Sequence, residues 1–408
     1  MKIEVSTVKG FQDIMPPYSL KRDAVKKIVE KWFKLYGFVP IETPVIEFDE
    51  LMRSDVLPSE EADEAVSERF KLEDRGGRKL GLRYEFTFQL SRIFKENPNL
   101  KIPLKRYQIG EVFRDEPTSS DRFRQFTQCD IDIVGDPSIK ADIECLSAFS
   151  EILKELKINA EIVVNNRALL NSIVESVEIK HVKNVIKELD KLDKLGPDQV
   201  KINLKKYAST NQVITLFKLL DKSLEFFEKN AFQGVESLTE LFSLCKKYDV
   251  KIKFNPFLAR GLSYYTGNIF EIKEEGKSAL AGGGRYDKTI GKYLAKEIPS
   301  VGISFGLERL TESANIETPP AAQTIIISIN QDNESIKLAT KLRKQNISCS
   351  IEFGRPGKGL EYANSQSIPY AIFIGEEEMK IKKIKLRDLK SGKESMLSES
   401  QLIKELKK

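Results

Sequence analysis

One histidine stands in 408 residues. His181 lies in a stretch of helical spacing, so triads that depend on a histidine base are excluded and His181 itself reads as a surface residue. Cysteine is equally sparse. Cys129, Cys145, Cys245 and Cys349 are scattered and form no CxxC pair, which argues against a disulfide framework or a cysteine zinc site and for a reduced, cytoplasmic setting. No apolar run approaches the roughly 18 residues of a membrane span. The opening MKIEVSTVKGFQDIMPP has no apolar h-region, so no secretory signal is expected. No GxxxxGK[ST] loop, no GxGxxG between a strand and a helix, and no GxSxG are present, which excludes P-loop, dinucleotide-binding and serine-elbow chemistry. No internal repeat or low-complexity tract appears.

What is present is ordinary in bulk and uneven in placement. Hydrophobic residues make up 40% and charged residues 31%, as in a soluble globular protein, and the length suggests two or three domains. There are 66 basic and 61 acidic residues; 16 and 11 of these lie in 321–408, leaving 50 of each before it. The whole net charge of +5 therefore sits in the C-terminal fifth. That fits a module facing nucleic acid, and equally a lysine-rich solvated surface.

Helical spacing from Ser19 to Tyr36 predicts an amphipathic helix stopped by Gly37. FVPIETPVIEF (38–48) reads as extended, its two prolines confining it to an edge. LKRYQIGEVFR (104–114) and RQFTQCDIDIVG (124–135) read as antiparallel strands around a polar loop. From 167 to 243 the pattern is mostly helical, with one face running from Val182 to Leu195 and ending at Gly196-Pro197. Strand-like sequence returns at 260–273. TESANIETPPAAQ (311–323) reads as a linker, and alternating strands and helices beyond it predict a small α/β domain with a largely parallel sheet.

Four segments carry polar residues in strand-like surroundings: GLRYEFT (81–87), the run 112–135, LARGLSYYTG (258–267) and SFGLERL (304–310). Singly, Arg114 with Glu116, or Glu308 with Arg309, reads as an ordinary ion pair. Together the four segments point to a shared ligand, because buried charge is costly unless paired or used. Their arginines point to phosphate, which a guanidinium binds bidentately at any working pH. Gly282-Gly283-Gly284 permits close backbone approach.

These motifs resemble those of the histidyl-tRNA synthetases, a class II aminoacyl-tRNA synthetase family, over nearly the whole chain. YGFVPIETPVIE (36–47), RYQIGEVFRDE to QCDIDIVG (106–135) and VGISFGLERL (301–310) resemble motifs 1, 2 and 3, which are loose singly. LARGLSYYTGNIFE and AGGGRYD resemble the family's histidine-site pair, which is highly specific. RYEFT and QCDIDIVG lean towards archaeal and eukaryotic members.

The resemblance implies an α+β fold: an antiparallel sheet core flanked by helices (1–166 and 244–318), a helical insertion (167–243) and a C-terminal α/β anticodon-binding domain (319–408). It implies a cytoplasmic homodimer formed through motif 1, acting on L-histidine, ATP with Mg2+, and tRNA(His), with no tightly bound protein metal. Catalysis would fall to Arg114, Arg260 and Arg309. ATP would meet Arg114, Glu116, Arg122, Phe126 (stacking on adenine) and Arg309. Histidine would meet Glu85, Phe86, Thr87, Arg114, Gln128, Asp132, Arg260, Tyr264, Tyr265 and Tyr286.

Period 2 places Gln128, Asp130 and Asp132 on one strand face, but sets Arg260 with Tyr264 and not Tyr265; a bulge at Gly261 would bring both tyrosines round. Ser263 and Asp121 depart from the family's usual Asp and Gly, bearing on support of the tyrosines and on acceptor-end contacts. A non-catalytic relative that senses histidine, or a domain that only binds RNA, is the alternative. Loss of the phosphate-binding arginines and the C-terminal domain would mark the former, and here both are retained.

Overall fold

A computed structural model describes residues 5–52, 69–119, 122–260 and 264–407. Asp121, Gly261 and Ser263, singled out above, lie outside the described residues. The chain forms two compact units, one of Met1–Asp13 and Val25–Asn315, the other of Ile14–Ala24 and Ile316–Lys408.

The larger unit is built on a sheet that has eight strands among the described residues. They are β1 (Val39–Pro40), β5 (Leu104–Phe113), β6 (Gln125–Val134), β7 (Glu161–Asn166), β8 (Ile252–Phe254), β9 (Asn268–Lys273), β10 (Ala281–Arg285) and β11 (Ser300–Gly306). Their order is β1-β5-β6-β11-β10-β9-β7-β8. The six inner strands pair antiparallel, and β1 and β8 each add a parallel edge. A small sheet of β2 (Ile46–Phe48), β3 (Lys71–Glu73) and β4 (Lys79–Leu82) leads into helix α2 (Thr87–Glu96), which follows α1 (Tyr18–Leu35) in the chain.

Strand alternation gives the main sheet two unlike faces. One is apolar and packs on α3 (Ile139–Glu155): Phe305 of β11 stacks on Phe149 at 3.9 Å, Phe149 meets Phe33 of α1 at 6.0 Å, and Phe33 meets Tyr107 of β5 at 5.7 Å. Each such fully buried aromatic contributes roughly 1.5–3 kcal/mol. The other face is polar.

Between Arg167 and Lys247 the described chain is helical: α4 (Arg167–Ser176), α5 (Val182–Leu189), α6 (Leu192–Leu195), α7 (Pro197–Leu204), α8 (Thr210–Leu220), α9 (Leu224–Lys229) and α10 (Val235–Lys247). The face expected to run unbroken from Val182 is split into α5 and α6; Gly196, with φ +76°, stops α6, and Pro197 opens α7. His181 is exposed immediately before α5. The strand expected over 260–273 begins only at Asn268, because Arg260 takes the left-handed region (φ +53°) and the described residues from Tyr264 to Gly267 are irregular. Helix α11 (Leu307–Ser313) follows β11 directly and extends into the sequence read as linker.

The smaller unit orders its strands β13 (Cys349–Phe353), β12 (Thr324–Ser328), β14 (Tyr370–Ile374), β15 (Ile384–Asp388) and β16 (Glu394–Leu397). The first three are parallel and the last two antiparallel. Ile326 faces one apolar cluster while Ile325 and Ile327 face another. A strand covered on both sides reads as a continuous apolar run, as TIIIS does.

Candidate active site

The polar face of the main sheet carries three rows of directly opposed residues. Arg106, Asp132, Gly302 and Gly284 form one; Gln108, Asp130, Ser304, Gly282 and Glu271 the next; Gly110, Gln128 and Gly306 the third. Opposed residues of paired strands project to the same side, so β5 and β6 supply side chains where β10 and β11 supply mostly hydrogens. The glycines make room for particular neighbours. A Cβ on Gly302 would lie 2.0 Å from Asp132 Oδ1, and one on Gly282 would lie 2.0 Å from Arg260 Nη2.

At one end of this face the polar groups are buried and linked. Asp132 forms an ion pair with Arg106 at 2.6 Å and accepts a hydrogen bond from the Tyr286 hydroxyl. Ser304 donates to Asp130 and accepts from Gln128 Nε2 at 3.1 Å. Burial pushes the Asp130 carboxyl up to about 8; Arg106 pulls it back, and the neighbouring Asp132 adds to the push. Burial also raises Asp132 and Glu85 above the ordinary carboxylate range. Glu85 accepts from the Phe88 amide at 2.7 Å, and the Thr87 side chain hydrogen-bonds both Glu85 and Tyr264. Tyr264 lies 4.9 Å from the Tyr265 ring and 5.8 Å from Tyr286, and Phe88 meets it edge-on. Both tyrosines are buried in one cluster, which strand period alone did not allow; irregular backbone ahead of β9 turns both inward. The Phe86 ring packs under the Arg83 guanidinium at 5.0 Å, and its carbonyl oxygen accepts from Arg106 at 3.2 Å.

Beside this cluster opens a cavity of about 490 Å³, lined by Arg114, Glu116, Arg122, Phe126, Gln128, Arg260, Ser304 and Arg309 among others. Five cationic side chains, Lys194 of α6 being the fifth, line it against the carboxylates of Glu116 and Glu308. That field suits a polyanion. Each guanidinium is braced. Arg114 Nε donates to the Tyr84 carbonyl at 3.2 Å and its head lies 5.1 Å over Phe126. Arg122 pairs with Glu116. Arg260 Nη1 donates to Glu271 at 2.9 Å, and Arg309 Nη1 to the Ala279 carbonyl at 3.0 Å. Burial works against the charge on Arg260, but Tyr265 and Glu271 outweigh it and raise its pKa. Glu308 is buried and accepts from the Thr127 amide at 3.0 Å, tying α11 to β6.

Arg114, Glu116, Arg122, Phe126, Gln128, Arg260 and Arg309 thus reach one cavity, while Glu85, Thr87, Asp132, Tyr264, Tyr265 and Tyr286 form the buried cluster beside it. Gln128 and Ser304 line the cavity and are hydrogen-bonded to each other, and Ser304 carries the link on to Asp130. Sequence reasoning missed Arg106, Ser304, Glu271 and Lys194 as members. The β5–β6 register, had it been paired out residue by residue, would have set Arg106 opposite Asp132.

The family model described as Histidyl-tRNA synthetase matches residues 10–310, and that described as Anticodon binding domain matches 323–408. Histidine–tRNA ligase 1 of Bacillus cereus is 37% identical over 417 residues, covering 96% of this chain and 95% of its own. Histidine–tRNA ligase of Korarchaeum cryptofilum is 34% identical, with 95% of each chain covered. Bacterial and archaeal relatives are therefore similar to much the same degree. The crystal structure of histidyl-tRNA synthetase from Nostoc sp. PCC 7120 superposes with a TM-score of 0.86 at 26% identity, covering 100% of this chain and 99% of that one.

Proposed function

The chain belongs to the histidyl-tRNA synthetase family and is a histidine–tRNA ligase, and from that premise we propose how its own residues divide the reaction. The carboxylate of histidine attacks the α-phosphorus of ATP and pyrophosphate leaves; the histidyl group then passes from the adenylate to the terminal ribose of tRNA(His). The first nucleophile is already an anion, so no side-chain base is needed, and positioning with charge stabilisation suffices. ATP enters with Mg2+ on its phosphates as part of the substrate.

Arg114 holds the α-phosphate and the attacking carboxylate, Arg260 sits at the α-phosphate, and Arg309 holds the γ-phosphate end. Phe126 stacks on adenine, with Glu116 and Arg122 beside it. Glu85, Thr87 and Gln128 take the amino group, and Asp132 with Tyr264, Tyr265 and Tyr286 takes the imidazole. A side chain without ring nitrogens would leave these buried groups unpaired, a form of rejection that reaches about 10⁴-fold. The single observation carrying this reading is the convergence of Arg114, Arg260 and Arg309 on one cavity beside a buried carboxylate–tyrosine cluster. The same convergence weighs against a non-catalytic histidine sensor.

Residues 323–408, matching the anticodon-binding family, take the anticodon end of the tRNA, consistent with the basic excess there. A homodimer through motif 1 accords with the exposure of Val39, Ile46 and Phe48 on β1 and β2. A cytoplasmic setting accords with translation; among the described residues no helix is long and apolar enough to cross a membrane.

The test is histidine-dependent ATP–pyrophosphate exchange with pure protein and magnesium. Exchange is expected, and Arg260→Ala lowers kcat by about 10²–10³ with little change in KM for histidine. Absence of exchange, or an unaffected Arg260→Ala enzyme, contradicts the assignment.

A further inference from the structure

Arg106 is the largest fully buried side chain among the described residues, and no step above uses it. It projects from β5 onto the polar face opposite Asp132. Its Nη2 lies 2.6 Å from Asp132 Oδ2 and donates to the Phe86 carbonyl at 3.2 Å, while Nε and Nη1 have no hydrogen-bond partner among the described residues. A buried guanidinium with two unsatisfied groups is costly, and an apolar residue would fill the volume without that penalty. Its presence is explained by what it does to its neighbour.

We infer that Arg106 is a positioning residue for histidine recognition, holding Asp132 as a fixed, acceptor-only carboxylate that takes a hydrogen bond from the imidazole and gives none. This rests on the reading of Asp132 as an imidazole partner. Arg106 acts electrostatically on Glu85, Asp130 and Asp132, but among the described residues its ion pair is with Asp132. Tyr286 donates to the other oxygen, Oδ1. An ionised carboxyl has about four lone-pair sites, so room remains for a ring N–H. The charged and titratable groups acting on Asp132 are Arg106 from β5, Tyr286 after β10 and Asp130 from its own strand; β11 sets only Gly302 against it, and the Cys145 thiol of α3 lies on the other side of the sheet. Arg106 is thus the cation that opposes the burial penalty. Without it Asp132 takes up a proton, and the resulting O–H is a donor aimed at a ligand that must itself donate.

Four variants decide the matter: Arg106→Met, Arg106→Lys, Asp132→Asn and the double Arg106→Met/Asp132→Asn. They are compared with the wild-type enzyme in histidine-dependent exchange and in ATP-binding titrations. Arg106→Met is expected to raise KM for histidine on the order of 100-fold, with KM for ATP changed less than about twofold. Arg106→Lys keeps the charge without the fork and recovers part of the affinity. The double variant leaves no unpaired buried charge, which protects its folding, and binds histidine no worse than Asp132→Asn alone. Losses that add in the double variant, a KM for ATP that rises in step with that for histidine, or an unchanged KM for histidine in Arg106→Met overturns the inference and leaves the site reading standing. An unchanged KM for histidine in Asp132→Asn overturns the imidazole assignment itself.

Discussion

Asp130 is a carboxyl group buried where an ionised form finds little compensation. Its pKa rises from an ordinary 3.8 to about 8, through burial first and the nearby Asp132 next, against the pull of Arg106 and the Ser304 hydroxyl. A carboxyl whose folded pKa exceeds its unfolded value favours the fold when protonated. That contribution is complete below the unfolded pKa and is lost as pH rises through the folded one. Asp130→Asn, which cannot ionise, therefore gains thermal stability over the wild type progressively between about pH 4 and pH 8, by several degrees, and the gain levels off above that. Melting curves across this range check it; a difference independent of pH would mean Asp130 titrates normally. At this scale the sequence was legible where residue type announces chemistry. Arg114, Arg260 and Arg309 stood out because arginine in an apolar setting asks for an anion. Arg106 did not, since RYQIG reads equally well as a strand with its polar residues in water. Only pairing with β6 shows it shares a buried face with Asp132.

Among the elements, β10 shows why glycine was needed. AGGGR pairs with β11 over its whole length and with β9 from Ala281 to Gly284, and the Arg260 guanidinium lies across Gly282. Gly282→Ala places a methyl group where that guanidinium lies. The strand can accept alanine, so the effect is displacement of Arg260 and not unfolding. Adenylation kcat falls at least about tenfold through lost positioning, while the melting temperature and KM for histidine hold close to the wild type. Exchange kinetics beside a thermal melt separate the two, and an unchanged kcat would show that the arginine reaches its place by another route. Strands β5 and β6 were legible within a residue because alternation and turn residues agree there. The start of β9 was not. YYTGNIF has strand composition throughout, yet Thr266 bonds to the Arg285 carbonyl and to Asp287, holding the chain irregular until Asn268.

At the scale of the whole molecule, the cavity and its buried cluster come from residues 84–309, all within the larger unit. The smaller unit has its own apolar clusters on both faces of its sheet. A chain ending at Asn315 is expected to keep histidine-dependent exchange within about tenfold of the full chain, because the first step needs only positioned groups of the larger unit. Its charging of tRNA(His) should fall at least about 100-fold, as contacts with the tRNA backbone are lost. Parallel exchange and aminoacylation assays test this; equal losses in both would show that the C-terminal residues serve the first step as well. By itself the sequence determined the family, the helical and strand-forming stretches, and the arginines that line the cavity, because periodicity and residue chemistry act over short range. Which polar residues share a face, that both tyrosines turn inward, and that Arg106 stands behind Asp132 were decided by the tertiary structure. Strand register and burial join residues far apart in the chain, and no local pattern encodes the distance between them.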